Sequence, residues 1–364
     1  MAEADHIYAV ILAGGSGTRF WPRSRHLTPK QLCRIGDPER TMIEITLDRL
    51  DGFIPPERRI IVTHKDQLEA TRAIAGDACP CILGEPEARN TANALAMAAL
   101  EIRHRHGGDR VMISLHADHV IRDEDRFRDA LRSGVRLARA GYLGLLGIRP
   151  SAPETGFGYI EKGGAVEGLN DLFHVRAFRE KPDAETAVDL VRSGDNFWNA
   201  GIFTWKVDTI LQELEMRLPQ CVNALNDLLQ NRTGFDEVPA ADLASAYGRL
   251  PKISIDHAVL EVSENVAMVE GGEEIGWRDV GSWDALTTCF ASDEQGNLLT
   301  GDVLALDTTG TTVDTDKTFV ACLGLKNMVV VSAANAVLVC PRDRAQDVKK
   351  IVETLKERGR TDLL

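Results

Sequence analysis

Residues 10–31, VILAGGSGTRFWPRSRHLTPKQ, decide the fold of this chain. The apolar run at 7–12 is rich in β-forming side chains and short enough for one buried strand. The residues after it, 13–17, carry almost no side-chain bulk, so their N–H groups can approach an anion closely. Arg19 closes this loop, and Lys30 arrives on a second turn. Two cations within reach of one such loop suit a polyphosphate, whose charge is spread over several oxygens.

Two better-known glycine loops do not fit this stretch. A P-loop ends in Gly-Lys followed by Ser or Thr, whereas this loop ends Gly17-Thr18-Arg19. The dinucleotide fingerprint needs a third Gly three residues after Gly17, where Phe20 stands. The plain alternative is a tight strand-to-helix turn with two surface cations beside it.

The extended pattern, GGSGTRFWPRSR followed by PKQ, resembles the signature of the sugar nucleotidyltransferases, which join a nucleoside triphosphate to a sugar 1-phosphate. Trp21 and Gln31 make it most similar to the mannose-1-phosphate guanylyltransferase branch, and the resemblance extends from about residue 7 to about residue 340. It implies an enzyme that takes GTP and mannose 1-phosphate, uses Mg²⁺, and releases GDP-mannose and pyrophosphate.

The amino-acid composition and net charge limit which partners this protein can bind and in which cellular compartment we expect it. The 364 residues are 44% hydrophobic, enough for a large core and roughly two domains. A net charge of −13 without a basic stripe argues against a nucleic-acid partner. No apolar run reaches the ~18 residues of a membrane span, and residues 1–10 lack the features of a signal peptide. We therefore expect a cytoplasmic protein without membrane contact, which the odd, scattered set of seven cysteines also favours.

Strand and helix patterns alternate over the first 150 residues or so. This alternation predicts an α/β fold, a three-layer Rossmann-like domain with a mainly parallel sheet. Ligands bind such sheets at the carboxyl ends of the strands, where the strand order reverses. The predicted strands lie at 7–12, 59–63, 81–83, 110–115 and 142–148, and the predicted helices at 41–50, 66–75, 90–106 and 125–139. A later short strand is predicted at 276–280.

The rest of the chain divides into two parts. We expect residues 1–296 to form the catalytic domain, with a nucleotide half at about 1–150 and a sugar-binding half at about 151–296. The sequence of residues 297–364 predicts a small β-rich domain with short, evenly spaced strands and a final amphipathic helix at 344–358. The resemblance favours a short left-handed β-helix there. Some relatives carry a phosphomannose isomerase domain after this point, and we expect none in a chain that ends at Leu364.

The resemblance also implies the residues that bind the nucleotide. Glu85, in GEPEARNTA, lies where members of this branch bind the base of the nucleotide. A hydrogen-bond acceptor there suits guanine, whose N1–H and N2 amine are donors. Asn90 and Thr91 are candidates as well, although they could simply cap the helix that follows. The implied nucleotide-binding set is Leu12, Ala13, Gly14, Gly15, Gly17, Thr18, Arg19, Glu85, Asn90, Thr91 and Asp118.

Two aspartates match the metal ligands of the family. Asp118 follows the fourth predicted strand in HADHVI, and Asp279 lies in WRDVGSW. One or two carboxylates commonly hold Mg²⁺ against phosphates. Each Asp could instead be a helix N-cap or a turn residue. These two aspartates form the implied catalytic set together with Arg19 and Lys30. The two cations would bind the triphosphate and the departing pyrophosphate.

Four residues resemble the sugar-phosphate site of the family. Glu180 would accept hydrogen bonds from sugar hydroxyls, Lys181 would hold the sugar phosphate, and Asn199 would bond a hydroxyl. Gly158 would let the backbone approach the sugar. The plain alternative for REKP is a surface Glu-Lys pair before a proline turn. Asp256 and His257 match a family segment without a role that we can derive, and the usual Tyr is His257 here.

Three alternatives remain open from the sequence. The sugar could be another hexose or heptose 1-phosphate, because a motif does not reveal the orientation of a hydroxyl. The chain could be a catalytically inactive regulator that binds a nucleotide sugar. Such subunits, however, generally lack a metal-binding carboxylate or the cation of the glycine loop. A β-rich scaffold with a vestigial α/β domain has no feature in its favour. The uncovered strands near the C-terminus predict a homodimer formed with the help of residues 297–340.

Overall fold

The computed structural model describes residues 6–15 and 17–364, so Ser16, inside the predicted phosphate loop, lies outside the described residues. The strands are, in chain order, β1 (Ile7–Ala13), β2 (Arg59–His64), β3 (Cys81–Glu85), β4 (Val111–His116), β5 (His119–Val120), β6 (Leu143–Ile148), β7 (Tyr159–Val166), β8 (Leu169–Arg179), β9 (Asn196–Lys206), β10 (Val266–Gly271), β11 (Arg278–Asp279), β12 (Leu298–Thr300), β13 (Val303–Leu306), β14 (Thr312–Thr315), β15 (Val320–Leu323), β16 (Met328–Ala333) and β17 (Ala336–Pro341).

The helices match the predicted positions to within a few residues in the first half of the chain. They are α1 (Met42–Asp48), α2 (Leu68–Ala75), α3 (Thr91–His106), α4 (Glu124–Arg139), α5 (Ala184–Ser193), α6 (Val207–Arg217), α7 (Pro219–Leu228), α8 (Ala240–Tyr247), α9 (Leu286–Cys289) and α10 (Val348–Glu357). Among the described residues, no helix is both long and apolar enough to cross a membrane.

A large sheet forms the centre of the catalytic part. Its nine strands, as far as the described residues go, have the order β3-β2-β1-β4-β9-β6-β10-β8-β7. Only β9 and β8, of the strands described in this sheet, run against the common direction. The mainly parallel sheet predicted from the sequence is therefore confirmed. The strand order reverses beside β1, because β2 and β3 lie on one side of it and β4 on the other.

Alternation along β1 explains the three layers. Tyr8, Val10 and Leu12 point to one face of the sheet and join a cluster that includes the buried residues of α3. Ile11 and its alternate neighbours point to the other face and pack with apolar residues of α1 and α4. Residues 92–102 of α3 are all buried, so this helix is enclosed on every side by α6, α7 and the sheet.

The C-terminal domain is built from stacked parallel strands, as a β-helix requires. β12, β14 and β16 pair in parallel, as do β13 and β15, whereas β17 closes the stack antiparallel to β16. This confirms the predicted β-helix-like domain. Val329, Val331 and Leu338 of this domain share an apolar cluster with Phe20 and Trp21 from the organising stretch.

Three local predictions differ from the structure. The predicted helix at 344–358 begins as the 3₁₀ turn Arg342–Asp347 and becomes α-helical only at Val348. The predicted strand at 276–280 is reduced to β11, because Gly276 has a φ of 64° and a Cβ there would lie 2.7 Å from Arg122 Cβ. β12 was not predicted, because three residues carry too little periodicity to be recognised.

Candidate active site

The small-residue loop leaves β1 at the point where the strand order reverses. The Ala117 N–H, just after β4, donates to the Leu12 carbonyl at 3.1 Å, which joins the two strand ends. The Ala13 carbonyl accepts from the side chains of Gln31, at 2.5 Å, and Thr63, at 3.1 Å. These bonds fix the end of β1, so the loop starts from a rigid edge of the sheet.

The loop opens into a cavity of about 280 Å³, which we call the loop cavity. Because parallel strands end at one edge, the residues after β1, β3 and β4 meet around it. Leu12 and Ala13 also line it, whereas Gly17 and Thr18 lie further along the loop. The lining residues that the sequence singled out are Leu12, Ala13, Gly14, Gly15, Glu85, Asn90, Thr91 and Asp118.

Glu85 is a buried carboxyl at the wall of the loop cavity. Its Oε1 accepts a hydrogen bond from the Tyr247 hydroxyl at 2.5 Å, and its Oε2 lies 3.3 Å from where a Cβ of Gly14 would be. Burial raises the pKa of Glu85 to about 7, and the Tyr247 hydrogen bond opposes this rise. Glu85 can therefore offer an acceptor to a ligand group near neutral pH. Sequence analysis missed Tyr247, which comes from a helix 162 residues away.

Asn90 and Thr91 have structural roles at the start of α3. Asn90 has a φ of 66° and caps the helix, since its Oδ1 accepts from the Thr91 N–H at 2.9 Å. The Thr91 hydroxyl accepts from the Ile255 N–H at 2.9 Å. The structure shows the capping alternative for Asn90, whereas Thr91 is the first residue of α3, and both residues also line the loop cavity.

Lys30 is a buried cation between the loop and the candidate metal ligands. It is only 5% exposed, which removes the alternative of a surface cation. Its Nζ lies 2.7 Å from Asp118 Oδ2 and donates to the Val280 carbonyl at 2.5 Å. Its backbone packs against the loop, because a Cβ on Gly17 would lie 2.8 Å from the Lys30 backbone nitrogen. Lys30 therefore connects the small-residue loop with Asp118.

Asp118 is not the cap of the following helix, since α4 begins at Glu124 and its N-cap is Asp123. Burial alone would raise the pKa of Asp118, but Lys30, His119 and His116 outweigh it and hold the pKa well below its usual value. Asp118 is thus a carboxylate anion at neutral pH.

Asp279 is brought to Asp118 by the short pairing of β11 with β5, in which Asp279 lies opposite His119. Burial, and next the negative charge of Asp118, raise the pKa of Asp279. Two like charges near each other fit a site that a cation would neutralise, and carboxylates are the ligands of hard divalent ions. These residues fit a divalent metal ion.

A pair of histidines was missed by sequence reasoning. One ligand atom each of His116, Asp118 and His119 lie within 4.8 Å of one another, so they too could hold a metal. His119 Nδ1 accepts from the Trp277 indole N–H at 3.2 Å. Burial and His116 lower the pKa of His119 to about 3, so this ring is neutral. The sequence His-Ala-Asp-His at the end of a predicted strand is the pattern that could have indicated this cluster.

A second cavity of about 570 Å³, here the central cavity, adjoins the loop cavity and shares Asn90, Thr91, His116 and Asp118 with it. The four residues of the predicted sugar site line it together with Asp279: Gly158, Glu180, Lys181 and Asn199. A Cβ on Gly158 would lie 2.5 Å from Glu180 Oε2, so any larger residue there would displace the Glu180 carboxylate. Glu180 Oε1 also lies 2.8 Å from Lys181 Nζ, and Lys181 is largely exposed.

Asn199 is held by its neighbours. Its Oδ1 accepts from the Gly201 N–H at 3.0 Å, and its Nδ2 donates to Asp256 Oδ1 at 2.9 Å. Asp256 begins a π-helical turn, Asp256–Leu260, and burial and Glu180 raise its pKa. His257 also lines the central cavity, and its Nδ1 lies 2.8 Å from Glu261 Oε2. Asp256 therefore orients Asn199.

Arg19 lies on the other side of Asp279, at a third and larger cavity of about 1190 Å³ between the two domains, here the interdomain cavity. It is exposed, and its Nη1 donates to Gln346 Oε1 at 2.9 Å. Phe157, Lys181, Trp277 and Asp279 line both this cavity and the central cavity, so the three spaces are continuous.

A cleft at the carboxyl edge of a mainly parallel sheet, with a small-residue loop and two carboxylates, is the arrangement of a nucleotide-binding transferase. Comparison with known families agrees: residues 8–296 match the Nucleotidyl transferase family, and residues 301–355 match the MannoseP isomerase/GMP-like beta-helix domain. The chain belongs to the nucleotidyl transferase family.

Among its relatives are proteins named mannose-1-phosphate guanylyltransferase. One from Escherichia coli is 38% identical over 97% of this chain and 74% of its own length, and one from Salmonella typhimurium is 39% identical over 97% and 74%. A crystal structure from Thermus thermophilus, described as a mannose-1-phosphate geranyltransferase, is similar with a TM-score of 0.85 at 34% identity, over 96% of this chain and 99% of that one.

Proposed function

We propose that this protein transfers GMP from GTP to α-D-mannose 1-phosphate and so forms GDP-mannose and pyrophosphate. The observation that carries the proposal is the meeting of the loop cavity and the central cavity at Asp118. A nucleotide in the first and a sugar phosphate in the second would bring their phosphates together beside Asp118 and Asp279. The named activity of the relatives specifies GTP and mannose 1-phosphate.

The loop cavity suits the nucleotide. Backbone N–H groups of Gly14, Gly15 and Gly17 would face the triphosphate, and Arg19 and Lys30 would supply cations to it. The buried carboxyl of Glu85 would accept from the N1–H and N2 amine of guanine, which distinguishes guanine from adenine, because adenine lacks both donors. Leu12, Ala13, Asn90 and Thr91 would shape the walls.

The central cavity suits the sugar phosphate. Glu180 would accept from sugar hydroxyls, Asn199 would bond a further hydroxyl, and Gly158 would admit the ring close to the backbone. Lys181, exposed at the rim, would pair with the sugar phosphate in place of Glu180. Binding therefore exchanges an internal ion pair for one with the substrate.

The reaction needs little covalent work from the protein. The phosphate of the sugar is largely dianionic near pH 7, since its second pKa is ~6. One of its oxygens attacks the α-phosphorus of GTP, and the bond from that phosphorus to the β-phosphate bridging oxygen breaks, so pyrophosphate departs with the electron pair. Arg19 and Lys30 would neutralise the charge that grows on the departing group, and the two cavities would align the reactants.

Mg²⁺ is the proposed metal, held by Asp118 and Asp279. When bound, it would withdraw charge from the phosphate oxygens and bring the two phosphates together. The oxygen donors favour Mg²⁺, whereas use of His116 and His119 would favour a transition metal.

Identification of the product tests this function. Incubation of the purified protein with GTP, mannose 1-phosphate and Mg²⁺ should produce GDP-mannose, detected by phosphorus NMR, and chelation of the metal should stop it. A different sugar 1-phosphate used at least tenfold faster would replace the mannose assignment. Failure with every sugar and nucleotide pair would instead favour the catalytically inactive regulator.

Glu85 gives the enzyme a pH-dependent affinity for GTP. Its pKa is raised to about 7 in the free protein, and only the ionised carboxylate accepts from both guanine donors. The Kd for GTP should therefore fall as pH rises from 6 to 8, beyond the change due to the triphosphate itself. Calorimetry on the wild type and on Glu85→Gln separates the two effects, because the variant keeps only the second. Equal pH profiles for both proteins would contradict this assignment of Glu85.

We also propose a cytoplasmic homodimer. The seven cysteines are all free thiols, which suits a reducing compartment.

Leu306 and Leu323 are register partners on the small sheet of β13 and β15 and are 51% and 72% exposed, with Leu304 beside them. Such a face is one that a second copy would cover. Light scattering should give a dimer at micromolar concentration, and Leu306→Asp with Leu323→Asp should give a monomer. A monomeric, fully active wild type would rule the dimer out.

A further inference from the structure

One contact between the two domains reaches the candidate phosphate-binding arginine. Arg19 Nη1 donates to Gln346 Oε1 at 2.9 Å, although the residues are 327 positions apart. Gln346 belongs to the 3₁₀ turn Arg342–Asp347, which leads from the β-helix domain into α10. It therefore comes from outside the part of the chain that carries the phosphate loop and the carboxylates.

The other end of the Gln346 amide is also bonded. Its Nε2 donates to Ser282 Oγ at 2.6 Å, and the Ser282 hydroxyl donates to Asp284. Ser282 is completely buried. An amide has one oxygen acceptor and one NH₂ donor group, so bonds at both ends fix which way it points. The carbonyl oxygen of Gln346 is thereby directed at the guanidinium of Arg19.

The hydrogen bond to Gln346 can hold the Arg19 side chain in one orientation before the substrate binds. Its side chain is exposed and long, so without a partner it would sample many rotamers and lose that freedom only when the substrate binds. The guanidinium has five N–H donors, so the bond to Gln346 leaves donors for a phosphate. The guanidinium also lies close to the backbone after Asp279, since a Cβ on Gly281 would be 3.5 Å from Nη1.

The backbone next to Arg19 is held by the same domain through different contacts. Phe20 and Trp21 pack in the apolar cluster with Val329 and Val331, and the Trp21 indole N–H donates to the Leu363 carbonyl at 2.8 Å. These contacts fix where the chain runs. The Gln346 amide is the additional contact that selects the direction of the Arg19 side chain.

We infer that Gln346 is a positioning residue of the active site: it aligns Arg19 with the triphosphate, so that the C-terminal domain supplies part of the catalytic geometry. This inference rests on the proposed function, because it requires Arg19 to act on the triphosphate of GTP. A guanidinium already in place binds charge without the cost of ordering it during the reaction.

The test compares the wild type with Gln346→Leu, Arg19→Ala and the double variant. We expect Gln346→Leu to lower kcat/KM for GTP by about tenfold while the KM for mannose 1-phosphate stays within about twofold. In the Arg19→Ala background the same change should cost less than about twofold, because residues that act through one contact are not additive. Asn335→Ala is the matched control, since Asn335 joins the same domain to Arg25 and should leave activity unchanged.

The outcomes are distinguishable. A Gln346→Leu enzyme with unchanged kinetics would overturn the inference, and so would a tenfold loss that persists without Arg19, because the loss would then come from structure alone. Loss of activity in Asn335→Ala comparable to that in Gln346→Leu would also contradict it. Gln346→Met, of similar length, replaces the leucine variant if melting shows that the latter is unfolded. A wild type without guanylyl transfer would overturn the proposed function itself.

Discussion

Asp118→Asn is expected to lower kcat by about 10³-fold or more. A metal-bound phosphate site contributes several kcal/mol to the transition state, and asparagine both removes the anionic ligand and leaves Lys30 without its ion pair. Asp279→Asn should cause a similar loss, because the same cation would be shared. The measurement is kcat over a Mg²⁺ titration, with the melting temperature recorded for each variant.

Asp123→Asn is the matched control for these substitutions. It makes the same chemical change five residues from Asp118, at the N-cap of α4, and asparagine caps a helix about as well as aspartate. Its activity should stay near that of the wild type. If folded Asp118→Asn and Asp279→Asn enzymes keep more than about a tenth of the wild-type kcat at the same Mg²⁺ concentration, these carboxylates are not the metal ligands.

Lys30→Gln is expected to lower kcat by ~10²–10³-fold, the scale of losing one preorganised donor. Lys30 is already aligned by Asp118 and the Val280 carbonyl, so it can act on charge that grows in the transition state without first being ordered. Lys181→Gln is its counterpart on the sugar side. Lys181 is exposed and would grip the sugar phosphate in ground and transition states alike, so its loss should raise the KM for mannose 1-phosphate more than it lowers kcat.

Steady-state kinetics with each substrate varied in turn separates the two lysines. If Lys181→Gln alters only the KM for GTP, or Lys30→Gln alters only the KM for mannose 1-phosphate, the two halves of the cleft are assigned the wrong way round. If neither substitution costs more than about threefold, neither lysine contacts phosphate and the site is wrong.

The catalytic fold was predictable because its signals are local. The apolar run before Gly14, the acidic Glu85 after a strand and the Asp118 turn each lie within a few residues of a recognisable strand end, and parallel strands bring their ends to one edge. The position of β9 in the middle of the sheet, antiparallel to both neighbours, was not predictable, because pairing between distant strands leaves no periodic trace in either one.

The site residues that sequence reasoning missed share a different property. Tyr247 and Gln346 act on Glu85 and Arg19 from helical segments 162 and 327 residues away. A tyrosine at the end of a helix and a glutamine in a turn have no local feature that marks them as partners of a site. Only the packing of α8 and of the C-terminal domain reveals them. The buried state of Lys30 was missed likewise, since its partner Asp118 is set by the fold.

The most direct test of the account is the release of pyrophosphate from each of four nucleoside triphosphates in the presence of mannose 1-phosphate and Mg²⁺. Because the proposed site has Glu85 as an acceptor for the base, kcat/KM for GTP should exceed that for ATP, UTP and dTTP by about tenfold or more, on the scale of one buried hydrogen bond. Preference for ATP or dTTP by tenfold or more would contradict the assignment of this cleft to GTP.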